Sequence, residues 1–283
     1  MFDSSRMEAA WTVRVANFPE VIQFDFPLDT LVVSLTGEHC ALDCAHCGRH
    51  YLKSMHPIEQ VEGGAARSCL ISGGCDQHGK LPVTAHLREI AALRTGRVMN
   101  WHVGLITRSE IEMIAPYVDL ISFDFVGDEA TIREVYGLDT TVEEYVKTYR
   151  LLTEYVPVVP HLTVGLKGGQ ISGEYRALQL LSELKVERLV LLVLIPTPGT
   201  RYAERQPPSV DEVTDLMSEA RVLLPQAAIY LGCMRPHGHY RAALDVRAVQ
   251  CGLNKIVSPA KEAIHLAQEL GLQIVRGREC CAI

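Results

Sequence analysis

Seven consecutive aliphatic residues, Leu189-Val190-Leu191-Leu192-Val193-Leu194-Ile195, constrain this chain more than any other local feature. A run this apolar, bounded by charge on one side and by Pro196 on the other, suits a strand covered on both faces, as in a parallel sheet flanked by helices. Shorter runs of the same kind recur, and strands are expected over 31–36, 68–72, 98–103, 120–126, 158–166, 188–195, 228–233 and 255–257. Amphipathic stretches lie between them, at 83–94, 109–116, 141–155, 173–184, 209–224, 240–251 and 259–270. Ser209 with Glu212 forms a capping-box pattern, and Gly252 and Gly271 stand where helices should stop. Strand and helix in alternation define an α/β fold in a single domain, a TIM-like (β/α)8 or partial barrel, with a doubly wound open sheet as the competing architecture. The 283 residues suit such a barrel, which needs about 250. Residues 1–30 are read as an N-terminal extension, 31–271 as the barrel and 272–283 as a cysteine-bearing tail.

The net charge of -7, with basic residues scattered, argues against nucleic acid or an anionic membrane surface as the partner. No apolar run approaches the roughly 20 residues of a membrane span. Asp3 and Glu8 interrupt a start that lacks an apolar stretch, so no signal peptide is expected and the location read is cytoplasmic. In a reducing compartment disulfides are disfavoured, so nine cysteines point to metal or redox chemistry.

Cys40, Cys44 and Cys47 follow the first expected strand with C-x3-C-x2-C spacing. Three thiolates on one loop can each bind one iron of a cubane cluster and leave the fourth iron open. A structural zinc site using these three with His39, His46 or His50 is the plainer alternative. Topology sorts the remaining cysteines. Cys75 and Cys233 follow strands, and Cys280 and Cys281 sit on the tail, so these four are candidate ligands of a second Fe–S cluster. Cys69 and Cys251 are read as buried thiols.

The triad after the first strand resembles the signature of the radical S-adenosylmethionine (SAM) superfamily, with His46 in the place of the usual aromatic. That resemblance implies a 4Fe-4S cluster on Cys40, Cys44 and Cys47, SAM chelated at its open iron, and reductive cleavage to a 5′-deoxyadenosyl radical. It further implies that Ser72, Gly73 and Gly74 hold the methionyl amino group and that Gly165 lies beside the adenine. For Gly165 an ordinary turn is the alternative. Asp124, which shares a strand face with Ser122, is a candidate ribose contact or else a surface carboxylate. The loop from Pro196 to Thr200 resembles one that lines the SAM pocket in biotin synthase. No catalytic residue is assigned.

The segment from Gly232 to Arg241, with Glu279-Cys280-Cys281, resembles biotin synthase homologues that serve as subunits of a two-component lipoyl synthase. This implies sulfur insertion into an octanoyl chain on a carrier protein or peptide, a second radical SAM subunit and an external electron donor. Other radical SAM reactions with an electron-transferring second cluster, and a non-enzymatic Fe–S or zinc-binding module, are the competing readings.

Overall fold

The computed structural model describes residues 4–61 and 64–283. Asp3, one of the acids weighed against a signal peptide, lies outside them. The strands are β1 (Val21–Asp25), β2 (Thr30–Ser34), β3 (His56–Pro57), β4 (Ser68–Ser72), β5 (Val98–His102), β6 (Leu120–Asp124), β7 (Val158–Val164), β8 (Arg188–Val193), β9 (Ala228–Leu231), β10 (Lys255–Val257) and β11 (Gln273–Gly277). The α-helices are α1 (Ser4–Asn17), α2 (Leu87–Arg94), α3 (Arg108–Ile114), the single turn α4 (Glu129–Thr131), α5 (Val142–Thr153), α6 (Glu174–Glu183), α7 (Val210–Leu223), α8 (His239–Gln250) and α9 (Lys261–Glu269).

All the strands join one parallel sheet in the order β11-β1-β10-β9-β8-β7-β6-β5-β4-β2-β3. The sheet curls but does not close, so the architecture is a partial barrel and not a closed (β/α)8 ring. Strands β1 and β11 lie outside the expected barrel span of 31–271, yet they pair along their whole length, from Val21 opposite Gln273 to Asp25 opposite Gly277. The capping box expected at Ser209 is present at the start of α7, with Ser209 Oγ and Glu212 exchanging bonds to backbone amides.

Alternation along the strands separates two faces. On β6, Ile121 and Phe123 turn outward, where Phe123 meets Tyr145 and Tyr149 of α5. Leu120, Ser122 and Asp124 turn toward the concave face. The concave face is filled at the amino ends of the strands by the C-terminal tail, where Ala282 packs with Leu120, Val159 and Val190. Arg278 anchors the tail through paired bonds of 2.8 and 2.9 Å to Asp29, and Glu279 binds Thr30 and Ser68. Lys255 completes the anchorage. Its ammonium binds the carbonyl of Ile283, lies 3.1 Å from Asp25 and stands over the Tyr230 ring.

Beyond β9 the chain is pinned by a buried ion pair. Arg235 grips Asp245 with Nε–Oδ1 at 2.7 Å and Nη2–Oδ2 at 2.8 Å, and both side chains are 0% exposed. Arg235 also donates to the carbonyls of Gly232 and Ser258, and Asp245 accepts from the Ala260 amide. Arg235 is thus held in a structural ion pair. Cutting one partner from such a pair leaves an unpaired buried charge, so Arg235→Met is expected to lower unfolding free energy by about 3–5 kcal/mol in urea titration. A loss under about 1 kcal/mol would show that the pair carries no such burden.

Candidate functional site

The loop after β2 lies across the turn after β4, and glycine makes that crossing possible. A Cβ on Gly74 would stand 1.9 Å from the carbonyl oxygen of His39 and 2.6 Å from Cα of Cys40. Around the crossing the two segments share a ladder of bonds. The Leu35 amide donates to Ser72 O, the Gly74 amide to Thr36 Oγ1 (2.7 Å) and the Ala41 amide to Cys75 O (2.8 Å). The Cys75 amide donates to the sulfur of Cys40 at 3.3 Å. Further along, Ala45 binds Val135 O, Tyr202 binds Ala45 O, and Arg201 reaches Asp43 O. The cysteine loop is thus clamped on three sides. One clamp is a wide π turn, Ile132–Tyr136, closed by Gly137 at φ 71°. Another includes the loop after β8, where Thr197 meets the Tyr51 hydroxyl at 2.9 Å.

These segments enclose a cavity of about 140 Å³ at the carboxyl ends of β4, β5 and β6. Ser72, Gly73, Cys75, His102, Ser122 and Asp124 contribute its polar side. Leu42, Leu81, Leu105, Leu138 and Phe123 contribute apolar wall. His102 Nδ1 lies 3.9 Å from Asp124 Oδ2, and Asp124 is half exposed at the mouth. Carboxyl ends of parallel strands are where ligands bind in α/β sheets. Ser72, Gly73 and Asp124 line this one cavity. Gly74 serves the crossing behind them. Gly165 sits elsewhere, with φ 72° and no room for a Cβ against Pro208, and its amide donates to Glu174.

His46 is buried under the loop, edge-on to Tyr136, with Nδ1 lacking a hydrogen-bond partner. Burial lowers its pKa to about 4. Burial also pushes Cys44 up to about 12, helped by the nearby Cys47 and Cys40 thiols, and raises Cys47. Cys75 is raised by burial and then by Cys40 and Cys44.

The four cysteines expected to share a second cluster fall into two places. Cys75 belongs with Cys40 and Cys44. Cys233, Cys280 and Cys281 gather on the concave face, where Cys281 is hydrogen-bonded to both of the others. Its bond lowers Cys233 and Cys280 to about 7, while Cys281 itself is driven well up, first by those bonds and then by burial. Among the described residues, no group of three or more His, Cys, Asp and Glu is arranged to hold a metal ion. This overturns the expected cofactor set: a 4Fe-4S cluster on Cys40, Cys44 and Cys47 bearing SAM, and a second Fe–S cluster on Cys75, Cys233, Cys280 and Cys281. All nine cysteines are free thiols, and Cys69 and Cys251 are buried as expected. What sequence reading missed was Cys75 as a partner of Cys40, and Tyr136 as cavity lining. Only the crossing at Gly74 could have signalled the first.

The fold is similar to that of several solved structures. It aligns with methylornithine synthase (PylB) at TM-score 0.67 and 13% identity, over 96% of this chain and 89% of that one. The FeFe-hydrogenase maturase HydG from Carboxydothermus hydrogenoformans aligns at TM-score 0.68 and 14% identity, over 97% and 73%. SuiB of Streptococcus suis, in a structure bound to S-adenosylmethionine, aligns at 0.51 and 16%, over 77% of this chain and 52% of SuiB. At these identities the likeness is one of fold. No family model matches the chain, and no curated protein matches it in sequence. No helix among the described residues is long and apolar enough to cross a membrane.

The buried histidines make stability depend on pH. His46 and His161 both sit near pKa 4, the second through burial and then the neighbouring His102. In the unfolded chain each returns to about 6.5, so between these values the unfolded state binds more protons. Unfolding free energy should therefore fall as pH drops from about 6.5 toward 4, by up to about 1.4 kcal/mol per pH unit for each histidine. Urea midpoints across that window should drop less steeply in His46→Gln; an unchanged slope would mean that His46 is not buried neutral.

Proposed function

We propose that the chain is an enzyme of the radical SAM structural class that acts on an aliphatic chain held in the rim cavity. The reaction read for it is sulfur insertion at an unactivated C–H bond, of the lipoyl synthase kind. The lining of the cavity carries this reading, because Leu42, Leu81, Leu105 and Leu138 line it together with Cys75 and the His102–Asp124 pair. Apolar walls with a few placed polar groups suit a substrate that must be bound by its hydrocarbon and oriented at one end. In this reading Ser72 and Gly73 meet the polar end of the substrate, and Asp124 with His102 offers polar groups to it at the mouth. Cys40 is a positioning residue, fixing Cys75 through its amide.

An outer groove of about 600 Å³, lined by Gln77, Lys80, Thr107 and Asp139, shares Leu105 and Leu138 with the cavity. It offers an approach for an acyl chain presented by a larger molecule. The substrate in this reading is an octanoyl chain on a carrier protein, with a related second subunit and an external electron donor as partners.

Given the partner subunit, a sulfide donor and an oxidant that accepts the two electrons released when sulfur replaces a C–H hydrogen, an octanoylated carrier peptide should gain the mass of sulfur. In a binding titration, Leu138→Asp should weaken that peptide at least tenfold, about 1.4 kcal/mol. An unmodified peptide that binds wild type and variant alike would count against both the reaction and the cavity.

A further inference from the structure

Three thiols converge on the concave face beneath the rim cavity, one residue layer from its Ser122 and His102, and the reading above gives them no part. Cys233 is exposed at the end of β9, whereas Cys280 and Cys281 are partly covered on the tail. Cys281 sits between the other two and bonds both. Its sulfur is also 3.5 Å from Nε2 of His161. The other ring nitrogen of His161 is 3.0 Å from the carbonyl of Val159, an acceptor that requires the proton on Nδ1. Nε2 is thereby left with its lone pair toward the Cys281 thiol. Cys280 is engaged differently, because Asn100 Nδ2 donates to its sulfur at 3.2 Å and Asn100 Oδ1 accepts from Ser122. The tail cannot drift from this position easily, being held at Asp29, Lys255 and the Ala282 contact.

We propose that Cys233 and Cys281 form a dithiol site that exchanges with small disulfides and, once oxidised, ties the C-terminal tail across the concave face. Cys233 is the attacking thiol, since it alone of the three is exposed. Cys281 is the resolving thiol, with His161 Nε2 to take its proton. A Cys280–Cys281 bridge is disfavoured, because Cα atoms of neighbouring residues across a trans peptide are about 3.8 Å apart, short of the usual disulfide range of about 4.4–6.8 Å.

The exchange balances without any other reactant. The Cys233 thiolate attacks one sulfur of RSSR, a mixed disulfide forms and RS⁻ leaves. Cys281 sulfur then attacks Cys233 sulfur, the second RS⁻ leaves, and the two protons of the original thiols end on the two RSH. One small disulfide is reduced, and one pair of protein thiols is oxidised.

Glutathione disulfide added to the chelator-treated full chain tests this by intact mass and peptide mapping. Wild type should release two glutathiones per linked pair and yield a dithiothreitol-sensitive bond between the peptides carrying Cys233 and Cys281. Cys281→Ser should stop at glutathione on Cys233 with only one released, Cys233→Ser should form no link to the tail, and Cys280→Ser should behave as wild type. A link confined to Cys280 and Cys281, a tail link surviving Cys233→Ser, or no linked peptide in wild type would each overturn the proposal.

Discussion

The close passage of Gly74 beneath His39 and Cys40 is the constraint on which the site depends. With no side chain at that point, the loop after β2 can lie flat on the turn after β4 and exchange backbone bonds with it. Everything at the rim inherits its position from this contact. It fixes Cys40 against the Cys75 amide, brings Leu42 over the cavity and sets the height at which the π turn and the loop after β8 meet the cysteine loop. A methyl group there would need a displacement of backbone and not of a flexible side chain, which is why a single atom can matter so much.

The opposite end of the concave face is organised by charge and by the tail. Asp25 and Lys255 are both almost wholly buried, and the ammonium serves the carboxylate, the Tyr230 ring and the last carbonyl together. Such a charge is tolerable in the interior because an opposite charge, a ring face and a carbonyl surround it. The tail so fastened covers the lower half of the sheet and carries its cysteines to His161 and Asn100. The rim cavity and the thiol group are therefore two places on one curved surface, with different access to solvent and different chemistry.

Local pattern was enough for the strands whose residues are apolar on both faces. The spans 68–72 and 255–257 coincide with β4 and β10, and β8 ends two residues inside its aliphatic run. It was not enough for β1 and β11. Val-Ile-Gln-Phe-Asp and Gln-Ile-Val-Arg-Gly mix polar with apolar residues, and they become strands through each other, from opposite ends of the chain. Helix α1 went unread for a similar reason: its first turn lacks an acidic residue, and its Arg14 is buried by packing at Gly252 and bonding Val21 O. At the site, spacing showed that Cys40, Cys44 and Cys47 share a loop, that Ser72 ends a strand and that Asp124 shares a strand face with Ser122. Spacing carried no information on which thiols are pressed together in space. That is decided by the crossing at Gly74 and the anchorage of the tail, and it separated Cys75 from Cys233, Cys280 and Cys281.

Amide hydrogen exchange in Gly74→Ala tests the role of the crossing most directly. The protein should keep its protection in β5 to β8, while the amides of Ala41 and Cys75 and of the surrounding cysteine loop exchange much faster than in wild type. Unchanged protection at Ala41 and Cys75 would contradict the account, since the loop would then be held in place by something other than its contact with the turn after β4.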